Sequence, residues 1–125
     1  MSFVTRQRSD APDVMAPDGS EVRLLAASPR GSMAQFTLPP GAVSKAVAHR
    51  TVEELWLVLS GRGRMWRKLG SAEEVVELRP GVSLAIPVGV HFQFRNDGET
   101  PLECAGVTMP PWPGMDEAYE VDGVW

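Results

Sequence analysis

An all-β sandwich or barrel, built as one domain, is the fold this sequence predicts. Turn signals recur at short, even intervals: "LPPG" at 38–41, "SGRG" at 60–63, "LGS" at 69–71, "RPG" at 79–81, "PVG" at 87–89 and "NDG" at 96–98. Glycine supplies positive φ, proline presets φ, and Asn-Asp-Gly favours a tight reversal. The runs between them are short and suit strands, which is the spacing of a sandwich or barrel rather than of alternating βαβ units. A chain of 125 residues carries one core and buries about two-thirds of the surface its unfolded form exposes, so neither disulfides nor a metal is needed for stability.

Taken in order, residues 1–20 are polar, with Pro and Asp, and read as a loose N-terminal arm. The barrel is expected over 21–109, with strands at "VRLLAA", "MAQFTL", "KAVAH", "ELWLVLS", "GRMWRKL", "EVVEL", "VSLAIP", "HFQFRN" and "LECAGVTM". The segment 51–60 supports two readings. Thr51 and Glu54 fit a helix capping box, with Val52, Leu55, Trp56 and Leu59 at helical spacing. As a strand, the same run puts Glu54, Trp56 and Val58 on one face and Leu55, Leu57 and Leu59 on the other, apolar on both sides like a buried barrel wall. The last segment, 110–125, is proline-rich and then acidic. Its Trp112 and Trp125 are large apolar groups that prefer to pack, so the tail is expected to lie on the barrel or on a partner subunit.

Composition excludes several functions. A net charge of -4 argues against a general phosphate-binding surface, and the cluster Arg62, Arg64, Arg67, Lys68 reads as a solvated hairpin edge, so no nucleic-acid partner is expected. No apolar run reaches the roughly 18 residues of a membrane span. The start lacks the apolar core of a secretory signal, and the single cysteine, Cys104, fits a reducing compartment as a buried, inert thiol. A soluble, cytoplasmic protein is the expectation. No G-x-S-x-G elbow, P-loop or dinucleotide fingerprint is present. The pairs Glu53-Glu54 and Glu73-Glu74 are strand neighbours facing opposite ways, and so do not make a two-carboxylate acid–base site.

Two spaced motifs then stand out. Gly41, Val47, His49, Glu54 and Gly61 keep every spacing of G-x5-H-x-H-x(3,4)-E-x6-G, and Gly81, Pro87, Gly89, Phe92 and Asn96 keep every spacing of G-x5-P-x-G-x2-H-x3-N. On these residues the chain resembles the cupin family, in particular its small bacterial single-domain members. The resemblance implies an antiparallel double-stranded β-helix, or jelly-roll barrel, commonly a homodimer. It also implies a metal site of three histidines and one glutamate. Here the first histidine position is Val47 and the third is Phe92, so two of the four ligand positions are replaced.

The candidate site is therefore His49 and Glu54, as polar anchors in a cavity walled by Trp56, Phe92 and Phe94, with Val47 as plain packing. Buried ionisable groups need partners, so such a pair marks the place where a small, partly apolar metabolite would anchor. No cofactor is expected, because two protein ligands fall short of the three that catalytic zinc or non-haem iron takes. If Mn, Fe, Ni or Zn binds, His49 and Glu54 hold it, joined by His91 only if a bulge at Gly89–Val90 turns that residue inward. Three functions remain open. One is a non-catalytic binding barrel. The second is an enzyme, either a metal-dependent oxygenase or isomerase as the resemblance implies, or a metal-free isomerase or cyclase using Glu54 and His49 for proton transfer. The third is a structural dimerising module whose cavity is filled by side chains.

Overall fold

The computed structural model describes residues 3–125 as eleven strands in two antiparallel sheets. One sheet contains β1 (Val14–Met15), β2 (Glu21–Ser28), β3 (Gly31–Leu38), β5 (Glu53–Ser60), β8 (Ser83–Ile86) and β10 (Leu102–Met109), in the spatial order β1-β2-β3-β10-β5-β8. The other contains β4 (Val47–His49), β6 (Gly63–Leu69), β7 (Ala72–Leu78), β9 (His91–Asn96) and β11 (Ala118–Glu120), in the order β11-β4-β9-β6-β7. All nine expected strands are present. β1, β11 and a single 3-10 turn at Met115–Glu117 were not expected.

The segment 51–60 resolves as strand. β5 alternates strictly, with Glu54, Trp56 and Val58 inside and Leu55, Leu57 and Leu59 outside. No helix forms, because the groups a capping box would satisfy locally are satisfied from far along the chain. The Glu117 carboxylate accepts hydrogen bonds from the Thr51 hydroxyl, from Thr51 N at 2.6 Å and from Val52 N at 3.2 Å. Glu54 instead accepts the Trp56 indole N–H. The expected wall buried on both faces is corrected in one respect. Leu55, Leu57 and Leu59 are 52 %, 44 % and 43 % exposed, because none of the described residues covers the outer side of β5.

The arm before β2 makes hydrogen bonds to the barrel. β1 pairs with β2, Asp13 N donates to Val22 O at 2.8 Å, and the Asp13 carboxylate accepts from Leu24 N at 2.7 Å. Further out, Arg8 donates to the Gln35 side chain at 2.9 Å, and Arg23 donates to the carbonyls of Ser9 and Asp10. Its partners are side chains and backbone groups of β2 and β3, which composition does not reveal.

The space between the sheets divides into a filled half and a hollow half. Leu38, Met65, Phe94, Leu102 and Cys104 fill the first, all essentially without solvent contact. Two motif residues fix its turns. Gly61 has φ +85°, and a Cβ there would lie 2.8 Å from Leu102 Cα, so both its conformation and its space require glycine. Asn96 is 1 % exposed yet fully used: its amide donates to Leu38 O and Thr100 O, and its side-chain oxygen accepts from Gly98 N at 2.8 Å. The C-terminal tail lies over the outer face of the second sheet. Gln93, buried beneath it, donates to Ser44 O at 2.9 Å and accepts from Val124 N and Trp125 N. The Trp125 ring lies under the guanidinium groups of Arg64 and Arg95.

The basic cluster is less solvated than its sequence suggests. Arg64 pairs with Asp97 at 2.7 Å, and Arg67 pairs with Glu74 at 2.6 Å while donating to Ala85 O. No helix among the described residues is long and apolar enough to cross a membrane.

Candidate functional site

The hollow half is a cavity of about 340 Å³. Its walls come from β2, β3, β4, β5, β9 and β10, closed on one side by residues 14–18 and on the other by Trp112, Met115 and Ala118. Strand alternation points Trp56 and Glu54 inward from β5, opposite Thr108 and Gly106 on β10. Gly106 makes room for the main aromatic wall. Phe36 and Trp56 stack there with centroids 4.8 Å apart, and a Cβ at position 106 would lie 3.2 Å from the Trp56 ring.

At the polar end, His49 Nδ1 lies 3.6 Å from Glu54 Oε1, and both side chains are buried. The imidazole is wedged edge-on between Phe92 and Trp112, each centroid 5.2 Å away. Nδ1 has no hydrogen-bond partner among the described residues, an unusual condition for a buried ring nitrogen. Burial lowers the His49 pKa to about 4 against an opposing pull from Glu117, so the ring is neutral at physiological pH. Burial raises Glu54 to about 7; the indole hydrogen bond from Trp56 opposes this and the negative charge of Asp18 adds to it. The contact between them is therefore a neutral ring beside a half-ionised carboxyl, not an ion pair. Cys104 is buried and its thiol is pushed up to about 12 by burial and then by Glu103, so it is no nucleophile.

The cavity brings together Val47, His49, Glu54, Trp56 and Phe92. It does not include Phe94, which packs edge-on behind Trp56 at 5.0 Å and belongs to the filled half, one strand-repeat deeper than Phe92. His91 faces away from the cavity, opposite Lys68 on β6, because its neighbour Phe92 takes the inward direction. Sequence reasoning missed Asp18, Phe36 and Met115. "PDGS" reads as a turn, and Asp18 does make that turn, accepting from Ser20 N at 2.9 Å and Ser20 Oγ at 2.7 Å. Its second role, as a buried carboxyl on the cavity wall, leaves no local trace. Trp112 carried a signal for packing but none for where it packs.

A two-sheet β-barrel with one hollow end and a polar pair inside defines a class: small barrels that enclose a cavity. The match to the cupin domain family model over residues 34–108 is more specific, and the chain belongs to the cupin family. Over 96 residues it is 33% identical to the xanthan biosynthesis protein XanB of Xanthomonas campestris pv. campestris, covering 77% of this chain but only 20% of that protein. Bacillus subtilis oxalate decarboxylase superposes with a TM-score of 0.71 at 18% identity, covering 82% of this chain and 28% of the other. An uncharacterised Klebsiella pneumoniae protein with a double-stranded β-helix domain superposes with a TM-score of 0.66 at 17% identity, covering 95% and 91%. The two structures show the shared fold, and the chain spans about a fifth of XanB.

Proposed function

We propose that this cupin barrel binds a small, partly apolar metabolite in its cavity, with His49 and Glu54 as polar anchors and the Phe36–Trp56 stack as the apolar wall. The observation that carries this is the orphaned His49 Nδ1 inside a cavity of about 340 Å³. Buried polar atoms are nearly always satisfied, and a ligand atom is the partner this one lacks. A purely structural module with a filled barrel is disfavoured by the same hollow.

The residues do not fit a four-ligand metal shell. Val47 and Phe92 place hydrocarbon at two of the ligand positions, His91 faces outward, and the Trp56 indole already occupies Glu54 Oε2. No group of three or more His, Cys, Asp or Glu side chains with metal-binding geometry occurs among the described residues. Incubation with manganese, iron, nickel or zinc followed by desalting should leave little bound metal. Near-stoichiometric retention that disappears in His49→Ala would overturn this part of the reading. The binding reading itself is tested by a metabolite screen on thermal unfolding, repeated on Ala34→Trp, which fills the cavity from β3. Hits that vanish in that variant support it; a blank screen, or hits that persist, count against it.

A second reading has its own observation. A carboxyl at about 7 is suited to give and take a proton at physiological pH, so Glu54 is equipped for metal-free isomerisation or cyclisation with His49 alongside. Glu54→Gln would then abolish turnover while sparing ligand binding. We further propose that the exposed leucine row of β5 is a homodimer face.

A further inference from the structure

We propose that the ligand is a small organic cation, an ammonium or amidinium group on an apolar body, with its charge between Asp18 and Glu54. This rests on the binding reading above and names its ligand class. The first support is the charge inventory of the cavity. Its titratable lining is Asp18 from the segment before β2, His49 from β4, Glu54 from β5 and Arg6. Arg6 is the one cation among these four. Its side chain is 43 % exposed and turned to Asp13 at 3.8 Å, so it stands at the rim. Glu117 acts on His49 from outside the cavity, where its carboxylate is engaged by Thr51 and Val52.

The second support is what the two acids lack. Asp18 receives both Ser20 hydrogen bonds on Oδ1, and Glu54 receives the indole on Oε2. Glu54 Oε1 receives none of these bonds and faces His49 Nδ1 at 3.6 Å, and that buried nitrogen has no hydrogen-bond partner among the described residues. Two acids enclosed without a counter-charge are costly in the ionised form, and burial raises both carboxyls. A bound cation reverses that cost by supplying the missing charge to each. An anionic ligand such as a phosphate ester or carboxylate would add to it.

The third support is the wall. Phe36, Trp56, Phe92 and Trp112 surround the acids, and aromatic faces attract a desolvated cation in addition to packing its apolar body.

The test compares benzylamine, benzyl alcohol and benzoate, which share a ring and differ in charge, by calorimetry and tryptophan fluorescence at pH 5.5 and 8. Benzylamine should bind tightest, and its affinity should rise about tenfold from pH 5.5 to 8 as Glu54 loses its proton. Asp18→Asn, which keeps an oxygen for Ser20, and Glu54→Gln should each weaken benzylamine about tenfold and weaken benzyl alcohol much less. Benzyl alcohol or benzoate binding as well as benzylamine overturns the cation assignment while leaving the binding reading intact. No binding of any probe overturns the assignment too, and the binding reading then falls only if the metabolite screen is also blank.

Discussion

Glu54 and His49 respond to pH in opposite senses, and their signs follow from burial. Glu54 is raised from 4.5 to about 7, so its contribution to stability is complete below pH 4.5 and is lost as the pH rises through about 7. His49 is lowered from 6.5 to about 4, so its contribution is complete above pH 6.5 and is lost as the pH falls toward 4. Glu54→Gln removes the first effect while keeping an acceptor for the Trp56 indole. The variant should therefore melt several degrees above the parent at pH 8 and close to it at pH 5, as read by thermal unfolding across that range. A parent advantage at pH 8 would mean that Glu54 is stabilised as an ion, against the burial argument. At this scale the sequence was legible where a motif position names a residue, as at Val47, His49, Glu54 and Phe92, or where strand alternation does, as at Trp56, and all five line the cavity. Asp18 and Phe36 were not legible, because one reaches the cavity from the turn between β1 and β2 and the other through strand pairing, and neither stands in a motif.

The lock between the C-terminal turn and the start of β5 holds the cavity wall in place. Glu117 is buried, which pushes its carboxyl up, but hydrogen bonds from the Thr51 hydroxyl, Thr51 N and Val52 N more than offset this and hold it below 4.5. Its contribution is therefore present above pH 4.5 and lost as the pH falls through the depressed folded value. Glu117→Ala leaves two backbone N–H groups unpaired and should cost roughly 2–3 kcal/mol, a fall of about 10 °C in Tm for a domain of this size. Glu117→Gln, which keeps one acceptor, should lose less and should show a flatter acid limb. The nine strands from β2 to β10 were legible because turn residues punctuate them. The choice between helix and strand at 51–60 was not, since the partner that decides it is 66 residues away. A second test concerns the opposite wall. Gly106→Ala puts a methyl group against the Phe36–Trp56 stack, so the near-ultraviolet circular dichroism of Trp56 should change and ligand hits from the screen should weaken.

The outer face of the six-stranded sheet is covered on one side only. The arm at Arg8–Asp10 lies over β2 and β3, through Gln35 and Arg23, and leaves the β10, β5 and β8 portion open. There Leu55 and Leu57 stand beside Val107 and Ala105 on β10 and Ala85 and Ser83 on β8, a contiguous apolar surface without a charged side chain among those six. An uncharged apolar row is complementary to a copy of itself, and a two-fold axis normal to β5 would lay one leucine row antiparallel on the other. Such a surface needs a cover in water, and a second copy supplies one without any matching charges. The protein should therefore sediment at twice 13.6 kDa at micromolar concentration. Leu55→Glu with Leu57→Glu places four carboxylates across the axis and should return the mass to 13.6 kDa. Both side chains point away from the core, so the doubly substituted chain should keep its all-β circular dichroism. A parent that sediments as a monomer removes the dimer. A substituted chain that remains dimeric moves the interface to another face.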